Sequence, residues 1–206
     1  MLLNVHPKNP QERAIHTLTS TLEKGGVIVY PTDTVYGLGC DIFQQKAIER
    51  ICRIKNIDPQ KAQLSFVCAD LSDLSKYTKS ISTPLYRLLK HYLPGPYTFI
   101  LPASKEVPKI LKSKKDTIGL RVPDNIIAQE LIHKLGRPLL SASLPGEWAE
   151  EIADPEIIHE RFNKLVDIVV DGGPGGLIPS TIVDCTGDEP IVTRQGLGEW
   201  EEEGDT

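Results

Sequence analysis

Hydroxyl and guanidinium side chains recur at the ends of the apolar runs of this 206-residue chain, or inside them. Thr32 and Thr34 follow the run Val27–Tyr30, and Arg121 interrupts "GLRVP". Ser141 and Ser143 alternate through "LLSAS", Ser180 and Thr181 open "STIVDC", and Arg194 sits in "TRQG". An arginine inside an apolar strand is costly to bury unless an anion or a carboxylate meets it. Singly, each of these is equally readable as an ordinary rim residue. Together they point to one polar cleft that could hold a carboxylate and phosphates, with arginine as the two-pronged donor. No histidine can be paired with a serine or cysteine as a catalytic dyad. A site of this kind would therefore work by positioning and by stabilising phosphate charge, not by covalent attack.

The stretch "PTDTVYGLGCD" (31–41) concentrates this chemistry. It lacks the G-x-x-x-x-G-K-[ST] and G-x-G-x-x-G patterns, and its polar residues precede the glycines, so it is not a phosphate-binding P-loop. The reading is a turn after a strand, with glycines permitting the turn while Thr32, Thr34 and Tyr36 form one cleft wall. "GGPGG" (172–176) is either a flexible turn or a loop whose backbone must come close to a ligand. Neither H-E-x-x-H nor G-x-S-x-G occurs.

The elements that must position these residues alternate. Apolar runs predict eight strands: 25–32, 64–69, 97–104, 117–123, 138–143, 166–173, 180–186 and 190–196. Helical spacing predicts five helices. One ends near Lys24-Gly25 and one spans 44–55; the others are capped at Ser82 or Thr83, at Asp124 and at Asp154. The mixed order favours an α/β or α+β fold with a mixed, twisted sheet. The length suits one domain, read as 10–198, followed by the acidic tail "EWEEEGDT" (199–206), expected to fray.

Apolar residues make up 40% and charged residues 25%, and no apolar run reaches transmembrane length. The first residues do not resemble a signal peptide. Four scattered cysteines (Cys40, Cys52, Cys68, Cys185) without a CxxC pair are read as reduced, buried thiols of a cytoplasmic protein, not a zinc site. The net charge of −5 hides two regions. Residues 1–146 hold 20 Lys/Arg against 12 Asp/Glu, while 147–206 hold 3 against 16. The basic run Arg87 to Arg121, including Lys109, Lys112, Lys114 and Lys115, is either a phosphate footprint or a solvated surface.

The motifs also resemble those of the YrdC-like family. "VYPTDTVYGLGCD", "LPGPYTFIL", "GLRVPDN", "PLLSAS", "STIVDCT" and "VTRQG" follow the family's order over most of the chain. The resemblance implies an α/β twist fold whose open sheet forms a concave, positively charged surface. Its best-known members make threonylcarbamoyl-adenylate from threonine, bicarbonate and ATP, releasing pyrophosphate, for the N6-threonylcarbamoyl modification of tRNA adenosine. Others are described as binding nucleotides or double-stranded RNA. The implied ligands are therefore ATP, with Mg2+ accompanying it and no tightly bound metal, and L-threonine. The implied macromolecular partner is RNA, either tRNA or a duplex, and no membrane.

Carried over, Thr32 or Thr34 would contact threonine and Arg121 its carboxylate. Ser180 and Thr181, with Tyr36 and Ser141, would complete that pocket. Lys55, Ser143 and Arg194 would face ATP. Two departures stand out. The family's K-x-R motif reads Lys55-Asn56-Ile57, and its S-x-N motif reads Ser143-Leu144-Pro145. Neither isoleucine nor proline supplies a side-chain donor. The loss is worth about 2–4 kcal/mol of transition-state stabilisation if each group resembles a charge-assisted donor. "RICRIK" and "LSFVCADLSDLSKY" resemble the YciO-type branch of the family, and Arg53 is a candidate substitute from the preceding turn.

Overall fold

The computed structural model describes residues 1–58, 64–108, 111, 116–145 and 153–201. Their order is β1 (Leu2–Asn4), α1 (Glu12–Glu23), β2 (Ile28–Tyr30), β3 (Gly37–Asp41), α2 (Gln45–Lys55), β4 (Ser65–Val67), α3 (Leu71–Lys76) and α4 (Thr83–Tyr92). There follow β5 (Tyr97–Pro102), β6 (Thr117–Arg121), α5 (Ile126–Leu135), β7 (Leu139–Ser143), α6 (Pro155–Phe162), β8 (Ile168–Asp171), β9 (Thr181–Asp184) and β10 (Ile191–Arg194). The strands form one mixed sheet in the order β1-β8-β2-β3-β7-β4-β6-β5-β9-β10.

The mixed α/β architecture is as the sequence predicts, with three elements added. β1 is short and lies at an edge, parallel to β8. α3 is a single short helix capped by Asp70, whose carboxylate accepts from the Asp73 amide. The third, β3, corrects the reading of "GLGCD" as a turn. The turn is made by residues 31–36, and the glycines lie inside a strand paired with both β2 and β7. They are there for packing. A Cβ on Gly39 would stand 2.8 Å from the Tyr30 ring, which lies across β3 from the neighbouring strand. One cap also moves: Asn125, not Asp124, accepts the Ala128 amide at the start of α5.

Strand alternation sorts the buried residues into two clusters. On one face, Leu38 and Cys40, Phe66, Phe99 and Leu101, Ile118 and Leu120, and Val183 pack with α2 and α4. On the other, Ile28, Tyr30, Val67, Leu139, Ile168 and Val170 pack under α1 and α5. Among the described residues, the two helices of this second face cover the β8–β2 side of the sheet and its adjoining strand ends. Further along the same face, Ser65, Ile100, Thr117, Gly119, Ile182 and Asp184 remain partly exposed. That uncovered half is the concavity.

The C-terminal segment departs from the expected frayed tail. Trp200 stacks on Tyr92 with centroids 4.7 Å apart and planes 19° apart, and the Tyr97 hydroxyl donates to the Glu199 carbonyl at 2.6 Å. Glu199 and Trp200 therefore rest against Tyr97 and Tyr92. Residues 202–206 lie outside the described part.

Candidate functional site

The uncovered half-face forms a cleft of about 560 Å³. The period of two places its residues. Ile118 and Leu120 point into the core, so Thr117, Gly119 and Arg121 of the same strand face the cleft. The same alternation turns Ser141 and Ser143 of β7, Ser65 of β4, Thr98 and Ile100 of β5, and Ile182 and Asp184 of β9 toward it. In transverse register, Gly39, Ser141, Ser65, Gly119, Ile100 and Asp184 form one row. Small side chains make the floor at one end, and branched apolar ones at the other.

Arg121 is 8% exposed. Its Nη2 donates to Asp33 Oδ1 at 2.5 Å and to Thr34 Oγ1 at 2.7 Å. The pair is held by one prong. Arg121 Nε and Asp33 Oδ2 are both buried and lack a hydrogen-bond partner among the described residues. A donor and an acceptor left open in a buried site each carry a desolvation cost until a ligand meets them. Thr32 organises the turn that presents Asp33. Its Oγ1 donates to the Val35 carbonyl at 2.8 Å and accepts from the Thr34 amide at 3.0 Å.

A second polar group comes from the β9–β10 edge. Arg194 Nε and Nη2 donate to the Ser180 carbonyl at 3.2 and 2.7 Å, and Ser180 Oγ lies 2.9 Å from Thr98 Oγ1. Burial lowers the Arg194 pKa, and the neighbouring Arg121 charge lowers it further. An arginine whose charge is disfavoured by burial and by a second guanidinium is a place where an anion is welcome. On the floor, the Tyr30 hydroxyl donates to Ser141 Oγ at 2.8 Å, and burial pushes the Tyr30 phenol up to about 12.

The structure thus brings Thr32, Thr34, Arg121, Ser141, Ser143, Ser180 and Arg194 onto one cleft. Lys55 lies at its border. Its Nζ donates to the Ser143 carbonyl at 2.5 Å, and burial lowers its pKa. Tyr36 and Thr181 do not line the cleft. Tyr36 is fully buried on the core side, its hydroxyl donating to the Gly173 carbonyl at 2.7 Å and accepting from the Gly172 amide at 3.2 Å. Thr181 alternates away from Ser180 into the core, donating to the Gly198 carbonyl. The "GGPGG" loop makes its close approach to the protein itself: Gly176 donates to the Thr34 carbonyl at 2.8 Å, and a Cβ there would stand 2.5 Å from that oxygen.

Ile57 has a structural reason. Asn56 ends α2 in the left-handed region (φ 52°), with the Asn56 amide bonded to Arg53 O and the Ile57 amide to Cys52 O. This is a Schellman stop, which favours an apolar residue directly after the left-handed one, and Ile57 packs against the core there. Arg53 is exposed and does not line the cleft. Lys109, Lys112, Lys114 and Lys115 lie outside the described residues. Asp33, Thr98, Ser65 and Tyr30 were not singled out from sequence. The usable signal was parity, since Thr98 and Ser65 share the strand face that Arg121 and Ser141 define.

Comparison with known proteins fits this geometry. The Sua5/YciO/YrdC family model, which carries the description "Telomere recombination", matches residues 20–196. The chain is 48% identical over 198 residues to the Escherichia coli K12 protein named "Uncharacterized protein YciO", covering 95% of each. The crystal structure of E. coli YciO superposes with a TM-score of 0.90 at 46% identity, covering 97% of both chains. Threonylcarbamoyl-AMP synthase of Coxiella burnetii RSA 493 is 31% identical over 163 residues, 79% of this chain and 87% of that one. Pyrococcus abyssi Sua5 complexed with L-threonine matches with a TM-score of 0.84 at 28% identity, over 95% of this chain and 57% of that one. Among the described residues no helix is long and apolar enough to cross a membrane, and no cluster of three or more His, Cys, Asp or Glu could hold a metal ion. With its family model spanning residues 20–196 and the same fold as its solved relatives, the chain belongs to the Sua5/YciO/YrdC family.

Proposed function

We propose that this protein binds ATP together with L-threonine, or a close α-amino acid, in the half-sheet cleft, in chemistry related to tRNA threonylcarbamoyladenosine formation. The observation that carries the reading is the one-pronged Arg121–Asp33 pair. Arg121 Nε offers a donor to an amino-acid carboxylate, and Asp33 Oδ2 offers an acceptor to its ammonium. Thr34 completes that end. Arg194, Ser143 and Lys55 face the phosphates from the opposite walls, as a flexible point charge and a fork do in phosphate sites. The sequence similarity to threonylcarbamoyl-AMP synthases and the structural similarity to a threonine-bound Sua5 support the choice of ligands. Calorimetric titration of the full chain with L-threonine, with ATP-Mg and with both is the test. Binding of each is expected, weakened measurably in Arg121→Ala for threonine and in Arg194→Ala for ATP. No heat with any of them sinks the reading.

A second reading is synthesis itself: threonine, bicarbonate and ATP giving threonylcarbamoyl-AMP and pyrophosphate. The family members named threonylcarbamoyl-AMP synthase favour it. The absence of a polar side chain at Ile57 and Pro145 argues for a slow reaction. Pyrophosphate release that requires both threonine and bicarbonate supports synthesis; release indifferent to them rejects it. RNA is the partner proposed for the basic run that begins at Arg87, the buried Arg121 apart, with tRNA and duplex RNA titrated across salt. An affinity that falls with salt supports phosphate contact, and a flat, weak response excludes it.

A further inference from the structure

β10 is the edge strand of the sheet, hydrogen-bonded to β9 alone among the described strands, with a register irregularity between Val192 and Arg194. Ile191 is 63% exposed, and Thr193 and Arg194 are also exposed. Side-chain burial therefore does little to fix this strand, although Arg194 is one wall of the cleft. The segment after it does more. Residues 195–200 run back along the 179–181 segment. The Leu197 amide donates to the Pro179 carbonyl at 2.8 Å, and the Gly196 amide to Thr181 Oγ1 at 3.0 Å. Thr181 Oγ1 in turn donates to the Gly198 carbonyl at 2.5 Å, and Gln195 Nε2 to the same carbonyl at 2.7 Å. Ser180, between Pro179 and Thr181, is the residue on which Arg194 rests. The far end of the strap is held by the Tyr97 hydroxyl on Glu199 and by Trp200 stacked on Tyr92.

We infer that the strap 195–200, pinned by Trp200, is the positioning device for the Arg194–Ser180 wall of the cleft, with Trp200 the positioning residue that acts through Arg194. An edge strand with few buried side chains opens at low free energy unless something outside the ladder holds it. The strap is tied to the rest of the domain by four hydrogen bonds and one aromatic stack, and a fifth bond, from Gln195 to Gly198, braces it internally. This rests on the ATP reading above for its ligand, but its structural half can be read without one.

The experiment titrates ATP-Mg into the full chain and four variants: Trp200→Ala, Trp200→Phe, Arg194→Ala and the double Trp200→Ala/Arg194→Ala. Hydrogen exchange is measured on the ligand-free proteins. Trp200→Ala is expected to weaken ATP about tenfold and Trp200→Phe to stay within about twofold of the unaltered chain. On the Arg194→Ala background, Trp200→Ala should add less than about twofold, because its route is already cut. Exchange at the Thr181, Gly196 and Leu197 amides should quicken in Trp200→Ala and not in Trp200→Phe. Unchanged affinity and exchange in Trp200→Ala overturn the proposal, as does full additivity with Arg194→Ala, which would mark a general loss of stability. If the unaltered chain binds no ATP, the nucleotide reading fails. The exchange arm then decides alone whether Trp200 holds the wall.

Discussion

Arg121 and Asp33 show how a buried ion pair can be incomplete by construction. Both side chains are about 90% buried, yet only one nitrogen and one oxygen meet. Exchanging either partner should therefore separate anions from zwitterions. Asp33→Asn removes the negative charge that competes for Arg121 and that would pair with an ammonium. It is expected to tighten inorganic pyrophosphate and to weaken L-threonine at least about fivefold, read by calorimetry on both ligands. Parallel losses for the two would mean that Asp33 only supports the fold. Arg121→Lys keeps the charge but not the fork. A loss of threonine affinity by about tenfold or more is expected, and retention of full affinity would remove the two-donor reading.

At the level of elements, the β2–β3–β7 step carries the floor. Tyr30 packs against Gly39 and reaches Ser141 across β3, so the glycine, the ring and the serine are one packed unit. Gly39→Ala is expected to destabilise the protein by about 1–3 kcal/mol, because the added methyl meets ring carbon rather than space. In Gly39→Ala/Tyr30→Leu the combined cost should fall short of the two single costs added, since the clash has gone; chemical denaturation of the four proteins measures this. The helix stop at Asn56-Ile57 is the second such unit. Its geometry explains why an apolar residue occupies a position where the family resemblance leads one to look for arginine.

Over the whole molecule, α1 and α5 leave half of one sheet face open among the described residues, and Tyr30, buried beneath that face, reaches the cleft residue Ser141. Burial pushes the Tyr30 phenol up to about 12, and Tyr36 likewise to about 12. The folded state therefore holds protons that the unfolded chain gives up near pH 10. The stability this represents is full below pH 10 and is lost as the pH rises toward 12. At about 1.4 kcal/mol per unit it reaches up to about 3 kcal/mol for Tyr30. The urea midpoint is expected to fall over this interval and to fall less in Tyr30→Phe; a flat profile would contradict it. Much of this molecule was legible beforehand. Periodicity marked eight of the strands and five helices, and the polar breaks at Thr34, Arg121, Ser141, Ser180 and Arg194 marked residues that do meet on one cleft. A polar residue in an apolar run carries its own signal, because burying it demands a partner. The sequence puts Tyr36 and Thr181 on the cleft and the fold does not, because one step along an extended chain reverses the face and a sequence does not say where the register starts. The glycines of β3 were read as a turn because the Tyr30 ring that requires them arrives from another strand. That Asp33 half-fills the grip of Arg121, and that Trp200 folds back to hold the edge carrying Arg194, follow from contacts 88 and 108 residues apart along the chain, which only the tertiary structure brings together.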